Sequence, residues 1–186
     1  MQNGMSSPWN KIYNSEIIKT HNIRFDEQLP LGEDLNFNMK CLFKASSVQY
    51  ISDILYFYHA DNSIATKKYR EDLYEKRRNA LDKMNMLFKE NGMKNPFEEL
   101  SEMKIVYTVI LNFQNKSCKK KYVEKRKIIR EIIAAYKTKT NHNLIGINRV
   151  LSFILRYMPI DLIYVACKLM KCILAVIPTR IRGVSI

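Results

Sequence analysis

The chain of 186 residues carries 31 Lys/Arg against 18 Asp/Glu, a formal net charge of +13, and is 47% hydrophobic. That hydrophobic share supports a packed core and excludes a disordered tail, and the length leaves room for one domain with a small appendage. With 5 Gly, 5 Pro and no repeat or low-complexity tract, long regular elements with few turns are expected.

The charge is unevenly spread. Up to Thr66 there are 5 Lys/Arg against 7 Asp/Glu, and beyond it 26 against 11. The first part is a mildly acidic, aromatic surface; the second is basic, and its field attracts anionic partners such as phospholipid headgroups or nucleic acid. Cys41, Cys118, Cys167 and Cys172 have no metal-ligand spacing and read as reduced thiols. The N-terminus shows no charged-then-apolar signal pattern, which with the thiols places the chain in a cytoplasm, taken as bacterial.

In chain order, Trp9, Ile12, Tyr13 and Ile17 recur at helical spacing and predict a helix from Pro8 to Thr20. Asn22 to Phe25 reads as extended chain, and Leu29-Pro30-Leu31-Gly32 as loop. A second helix opens at Asp34, a good N-cap, with Leu35, Met39, Leu42 and Phe43 as its apolar stripe, and fades near Ser46-Ser47. Val48 to Ile51 and Ile54 to Tyr58 are rich in β-branched and aromatic residues and predict two short strands. Beyond Lys67 three helices are expected, about Glu71 to Glu90, Phe97 to Gln114 and Lys120 to Tyr136. The fold class implied is α+β, mostly α.

Val150 to Pro178 is the most apolar segment, but Arg156, Asp161, Lys168 and Lys171 interrupt it before it reaches the roughly 18 uncharged residues of a membrane span. From Ile160 to Ile177 the charged side chains share one narrow stripe and leave a broad apolar face, the pattern of a helix lying in a membrane interface. Lys116 to Lys139 adds 10 Lys/Arg against 2 Asp/Glu around Ile128, Ile129, Ile132 and Ile133. A solvated face over a helical core explains that run as well as a lipid contact does.

Glu33-Asp34, preceded by Gly32, is the candidate chemistry. A carboxylate at a helix start, held by a rigid element after a tight glycine turn, can accept a proton from an attacking hydroxyl. The same pair is an ordinary helix start, because negative charge there complements the helix dipole. Phe37, one turn on, is expected to pack beneath the motif.

From Ser7 to Ser63 the chain reads Ser-Pro-Trp-Asn-Lys-Ile-Tyr, then Asn-Ile-Arg-Phe-Asp-Glu, Gly-Glu-Asp-Leu-Asn-Phe, Leu-Tyr-Phe-Tyr-His and Asp-Asn-Ser. This pattern resembles the second half of the catalytic domain of family 2 glycosyltransferases, nucleotide-sugar-dependent enzymes of GT-A fold that build bacterial surface polysaccharides. The resemblance implies Asp34 as general base, Glu33 as its acceptor-binding or orienting neighbour, and Trp9 and Lys11 on the acceptor side, where a core Trp with a solvated Lys is the plainer alternative. It also brings His59 towards a diphosphate or metal, with Asn62 and Ser63 as possible phosphate contacts, although a strand-end histidine and an Asx turn account for them too. For the complete enzyme it implies a divalent metal, Mn or Mg, a nucleotide-sugar donor and a saccharide or lipid-linked acceptor.

The sequence contains no Asp-x-Asp motif and no glycine-rich phosphate loop. Residues 1–66 are therefore expected to be an incomplete GT-A-like portion lacking its nucleotide-binding half, inactive alone. Residues 67–148 would form a basic helical extension, and 149–186 amphipathic helices that dock on the inner face of the cell membrane. The competing function is a non-catalytic cationic module that binds membrane or nucleic acid. The basic residues carry no helix-turn-helix, zinc finger or aromatic stacking platform, which disfavours nucleic acid.

Overall fold

The computed structural model describes residues 6–53, 56–57, 68–138 and 144–176. Among them are seven helices: α1 (Ser15–Thr20), α2 (Glu33–Lys44), α3 (Leu73–Glu90), α4 (Glu98–Phe113), α5 (Tyr122–Lys137), α6 (Gly146–Tyr157) and α7 (Ile160–Val176). They fall into two compact units, one made of Met1–Asn62 and Glu75–Asn95, the other of Ser63–Tyr74 and Pro96–Ile186.

The described residues contain no strand, so the α+β expectation and its GT-A-like sheet portion are overturned in favour of an all-helical fold. Residues 48–51 are irregular, and Val48 and Tyr50 are 75% and 87% exposed. β-branched and aromatic residues favour a strand only when a neighbour completes the hydrogen-bond ladder, and among the described residues none forms one with this run. Of the second expected strand only Tyr56 and Phe57 are described, and both are irregular; the rest lies outside the described residues.

In the first unit, α1 is shorter than the periodicity predicts. Asn14 ends the preceding irregular stretch by accepting a 2.8 Å hydrogen bond from the Glu16 N–H, and such a cap stabilises a helix start by about 1 kcal/mol. Trp9 and Ile12, which the pattern counted as helical, lie exposed in the irregular stretch before α1.

α2 is the centre of this unit. Phe37 and Cys41 pack on Ile23 with Tyr13, Ile17 and Ile18, while Met39 packs on Met84 and Phe88 of α3 with Leu35, Phe43 and Leu87 around it. The Phe37 ring stacks on Phe25 at 4.2 Å and meets Tyr13 edge-on at 5.4 Å. Burial of Phe37 contributes about 1.5 to 3 kcal/mol, so its expected packing role holds. An Asp26–Lys83 ion pair fastens the loop before α2 to α3.

The second unit is a cluster of α4, α5, α6 and α7, each touching the other three. α4 is apolar nearly all round, with Met103, Ile105, Val106, Tyr107, Val109, Ile110 and Phe113 buried, the pattern of a helix enclosed by its neighbours. Leu151 and Leu155 of α6 and Ile163 and Cys167 of α7 are fully enclosed. Tyr136 and Ser152 share a buried 2.8 Å hydrogen bond between α5 and α6. Gln114 donates to the Tyr164 carbonyl at 2.6 Å, and Asn112 exchanges hydrogen bonds with the Arg70 backbone at 3.0 and 2.6 Å, closing 68–72 onto the end of α4.

Candidate active site

Gly32, not Asp34, occupies the N-cap of α2. Its φ of +86° lies in the left-handed region that glycine tolerates, and a Cβ there would stand 3.2 Å from the Ala80 Cβ. The turn is thus fixed by backbone conformation and by close approach to α3. No side chain caps α2, so Glu33 and Asp34 sit in the first helical turn, where their charge opposes the exposed N–H ends of the helix.

Asp34 is partly buried. Burial is the main force raising its carboxyl above the usual range, the Glu33 charge adds to it, and the Lys11 ammonium partly opposes it. Lys11 is shifted the other way, lowered by burial and pushed back up by Asp34. The two groups therefore feel each other's charge across the gap between the Trp-Asn-Lys stretch and α2. A carboxylate with a raised pKa is a stronger proton acceptor than a solvated one, and a cation beside it holds it ionised.

Lys11 Nζ donates to the Ser7 carbonyl at 2.5 Å and to Asn10 Oδ1 at 2.8 Å, which folds residues 7–11 into a compact arch. Tyr13, two residues after Lys11, is tied to α2: its hydroxyl donates to Asn38 Oδ1 at 2.5 Å. Burial, with smaller pushes from Cys41 and Asp34, raises the Tyr13 phenol to about 12, so it stays a protonated donor at neutral pH. Trp9, 40% exposed, stacks on Tyr56 at 5.2 Å and presents an aromatic surface beside the arch.

Of the sequence-derived site residues, Asp34, Glu33 and Lys11 share one electrostatic environment, and Trp9 lies two residues before Lys11 in the same stretch. His59, Asn62 and Ser63 lie outside the described residues. Asn36 and Asn38, both buried on α2, escaped the sequence reading. A polar residue inside an amphipathic helix ordinarily faces water, and only the Asn-x-Asn spacing after the acid pair could have flagged them. Asn36 Oδ1 is buried without a hydrogen-bond partner.

The chain resembles part of a glycosyltransferase. A Bacillus subtilis (strain 168) protein described as "Putative glycosyltransferase EpsH" is 33% identical over 69 residues, which is 36% of this chain and 20% of that protein. The chain thus matches about a fifth of its relative's length. No protein-family model matches the chain, and no solved structure does.

The divalent metal implied for the complete enzyme belongs to an Asp-x-Asp site, a motif that this sequence lacks. Among the described residues no three His, Cys, Asp or Glu side chains gather closely enough to hold an ion, and the Glu33-Asp34 pair has an ammonium beside it instead of a third acid. The described residues offer no metal centre, and no step is assigned to one.

Proposed function

We propose that this chain carries the acceptor side of a glycosyltransferase that moves a sugar from a nucleotide-sugar donor to a saccharide or lipid-linked acceptor, with Asp34 as general base. The observation that carries the reading is the partly buried Asp34 carboxylate, raised in pKa and faced by Lys11 at the first turn of α2. The likeness to a protein described as a glycosyltransferase supports it.

In this mechanism the acceptor hydroxyl approaches over the arch of residues 7–11 and loses its proton to Asp34 as its oxygen attacks the anomeric carbon, with the nucleoside diphosphate leaving. Asp34 is held by the α2 backbone, and Phe37 and the Tyr13–Asn38 hydrogen bond fix that helix from below. Lys11 keeps the carboxylate ionised before the transfer and offsets the lost charge after it. Trp9 and Tyr56 offer a flat apolar surface to the C–H face of a sugar ring.

The test uses the longest product of the gene that encodes this chain. Asp34→Asn keeps the shape and removes the base; it should lower kcat by about 10²-fold or more while the KM for the nucleotide sugar stays within about twofold. Turnover near that of the parent enzyme excludes Asp34 as the base.

A further inference from the structure

The α6–α7 pair repeats one surface pattern. On α6, Val150, Phe153 and Tyr157 are exposed while Leu151 and Leu155 are buried; on α7, Leu162, Val165 and Leu169 are exposed while Ile163 and Cys167 are buried. Each helix therefore has two apolar stripes at i, i+3/i+4 and i+7 spacing, of which the core of the unit uses only one. The second stripe faces water, with Tyr157 71% exposed and Phe153 60% exposed, their rings 4.9 Å apart. Contiguous exposed apolar surface of this kind marks an interaction site.

The charges beside the stripes select the partner. From Gly146 to Val176 there are 4 Lys/Arg and 1 Asp/Glu. The acid, Asp161, is turned towards α5, where it accepts the Tyr122 hydroxyl and two 3.1 Å hydrogen bonds from Arg126. Arg156 lies over the Tyr136 ring and donates to the Lys137 carbonyl. That leaves Arg149 and Lys168 exposed at the flank of the stripes, each one residue before a stripe member, Val150 and Leu169. Among the described residues no helix is long and apolar enough to cross a membrane, so the surface suits contact and not insertion across a bilayer.

We propose that the exposed stripes of α6 and α7 dock the second unit on the surface of an anionic lipid bilayer. Phe153, Tyr157 and Leu169 enter the headgroup boundary, where aromatic rings with a polar end are favoured. Arg149 and Lys168 lay their methylene stems along the flanks of the apolar stripes and reach lipid phosphates with their charged ends. Apolar area and flanking charge occur together on each helix, and two such signals are what stable, reversible attachment requires.

The whole chain is floated with phosphatidylcholine vesicles with and without phosphatidylglycerol. Binding should be strong only with the anionic lipid and should weaken as salt rises. Arg149→Gln with Lys168→Gln should lower affinity about thirtyfold, and Phe153→Asp with Leu169→Asp by about tenfold or more, with helical circular dichroism unchanged. The charge variant carries the test alone should the apolar variant lose helicity. Equal binding to neutral vesicles, or undiminished binding by the charge variant, overturns the proposal. So does tighter binding to a DNA duplex than to anionic vesicles at equal salt, or concentration-dependent self-association that Phe153→Asp abolishes, which would identify a nucleic acid or a second copy as the occupant.

Discussion

Replacing Gly32 by Ala perturbs the turn that aims Asp34, and two separable effects set its size. The φ of +86° places an L side chain in the left-handed region, at about 1 to 2 kcal/mol, less a gain of about 0.4 to 1 kcal/mol from a stiffer unfolded chain. The new methyl then meets the Ala80 Cβ at 3.2 Å, and relief of that contact by a small shift of α3 adds about 1 kcal/mol, the low end of overpacking. The sum is about 2 kcal/mol. Gly92 provides the control: its φ is +72° and a Cβ there meets nothing within 4 Å, so Gly92→Ala should lose only the backbone part, about 1 kcal/mol. Trp9 is the chain's single Trp and lies in the same unit as both glycines, so its fluorescence in urea follows that unit. At a slope of about 2 kcal/mol per molar, the midpoint should fall by about 1 M for Gly32→Ala and about half that for Gly92→Ala. Adding Ala80→Gly restores the space, so the Gly32→Ala, Ala80→Gly cycle should show a favourable coupling of about 1 kcal/mol. Equal shifts for both glycines together with zero coupling would refute the close approach of the α2 turn to α3.

Two carboxylates in the first unit should respond oppositely to pH. Asp34 is raised when folded, so its contribution is fully present below the ordinary carboxylate pKa and is lost as pH rises through the raised value; Asp34→Asn should be as stable as the parent in acid and more stable at neutral pH. Asp26 is lowered, first by its hydrogen bond from Lys83, so it stabilises above the ordinary pKa and that support is lost as pH falls through the lowered value; Asp26→Asn should be less stable at neutral pH and match the parent in strong acid. Midpoints of urea unfolding between pH 3 and 8 check both signs, and parallel curves for the two variants would contradict the assigned environments. In the second unit, Leu155→Ala opens a cavity at a fully buried site and should destabilise by about 2 to 5 kcal/mol, read from thermal unfolding by circular dichroism; a change below 1 kcal/mol would place Leu155 outside the core.

The long helices were legible because their apolar residues repeat at the helical period: α3, α4, α5 and α7 lie within a few residues of the expected bounds. α6 was not separated from α7 because it starts at Gly146, before the apolar run from Val150, and runs into it, although Pro159 marks the break, since a proline disfavours helix in the residue before it. The false strands came from reading side-chain preference at Val48 to Ile51 without a pairing partner to realise it. At the site, the acid pair and its glycine turn were visible, but the N-cap lies two residues earlier than expected, because an acid at the first helical positions looks like a cap in sequence. The closeness of Lys11 to Asp34 is a tertiary fact that spacing alone does not contain. Neither is the burial of Asn36 and Asn38, which depends on α2 being covered on both sides.

α3 gives that covering a temporal dimension. Gly32, Asp26 and Met39 emerge from the ribosome well before Ala80, Lys83, Met84 and Phe88, the residues they rest on, and residues 63–74, which belong to the other unit, are made in between. At about 5 to 20 residues per second, the segment bearing Asp34 spends seconds without its floor, its apolar side open to chaperones or to mispairing. A stop codon between α2 and α3 would leave the acid pair intact in sequence and without the packing that aims it.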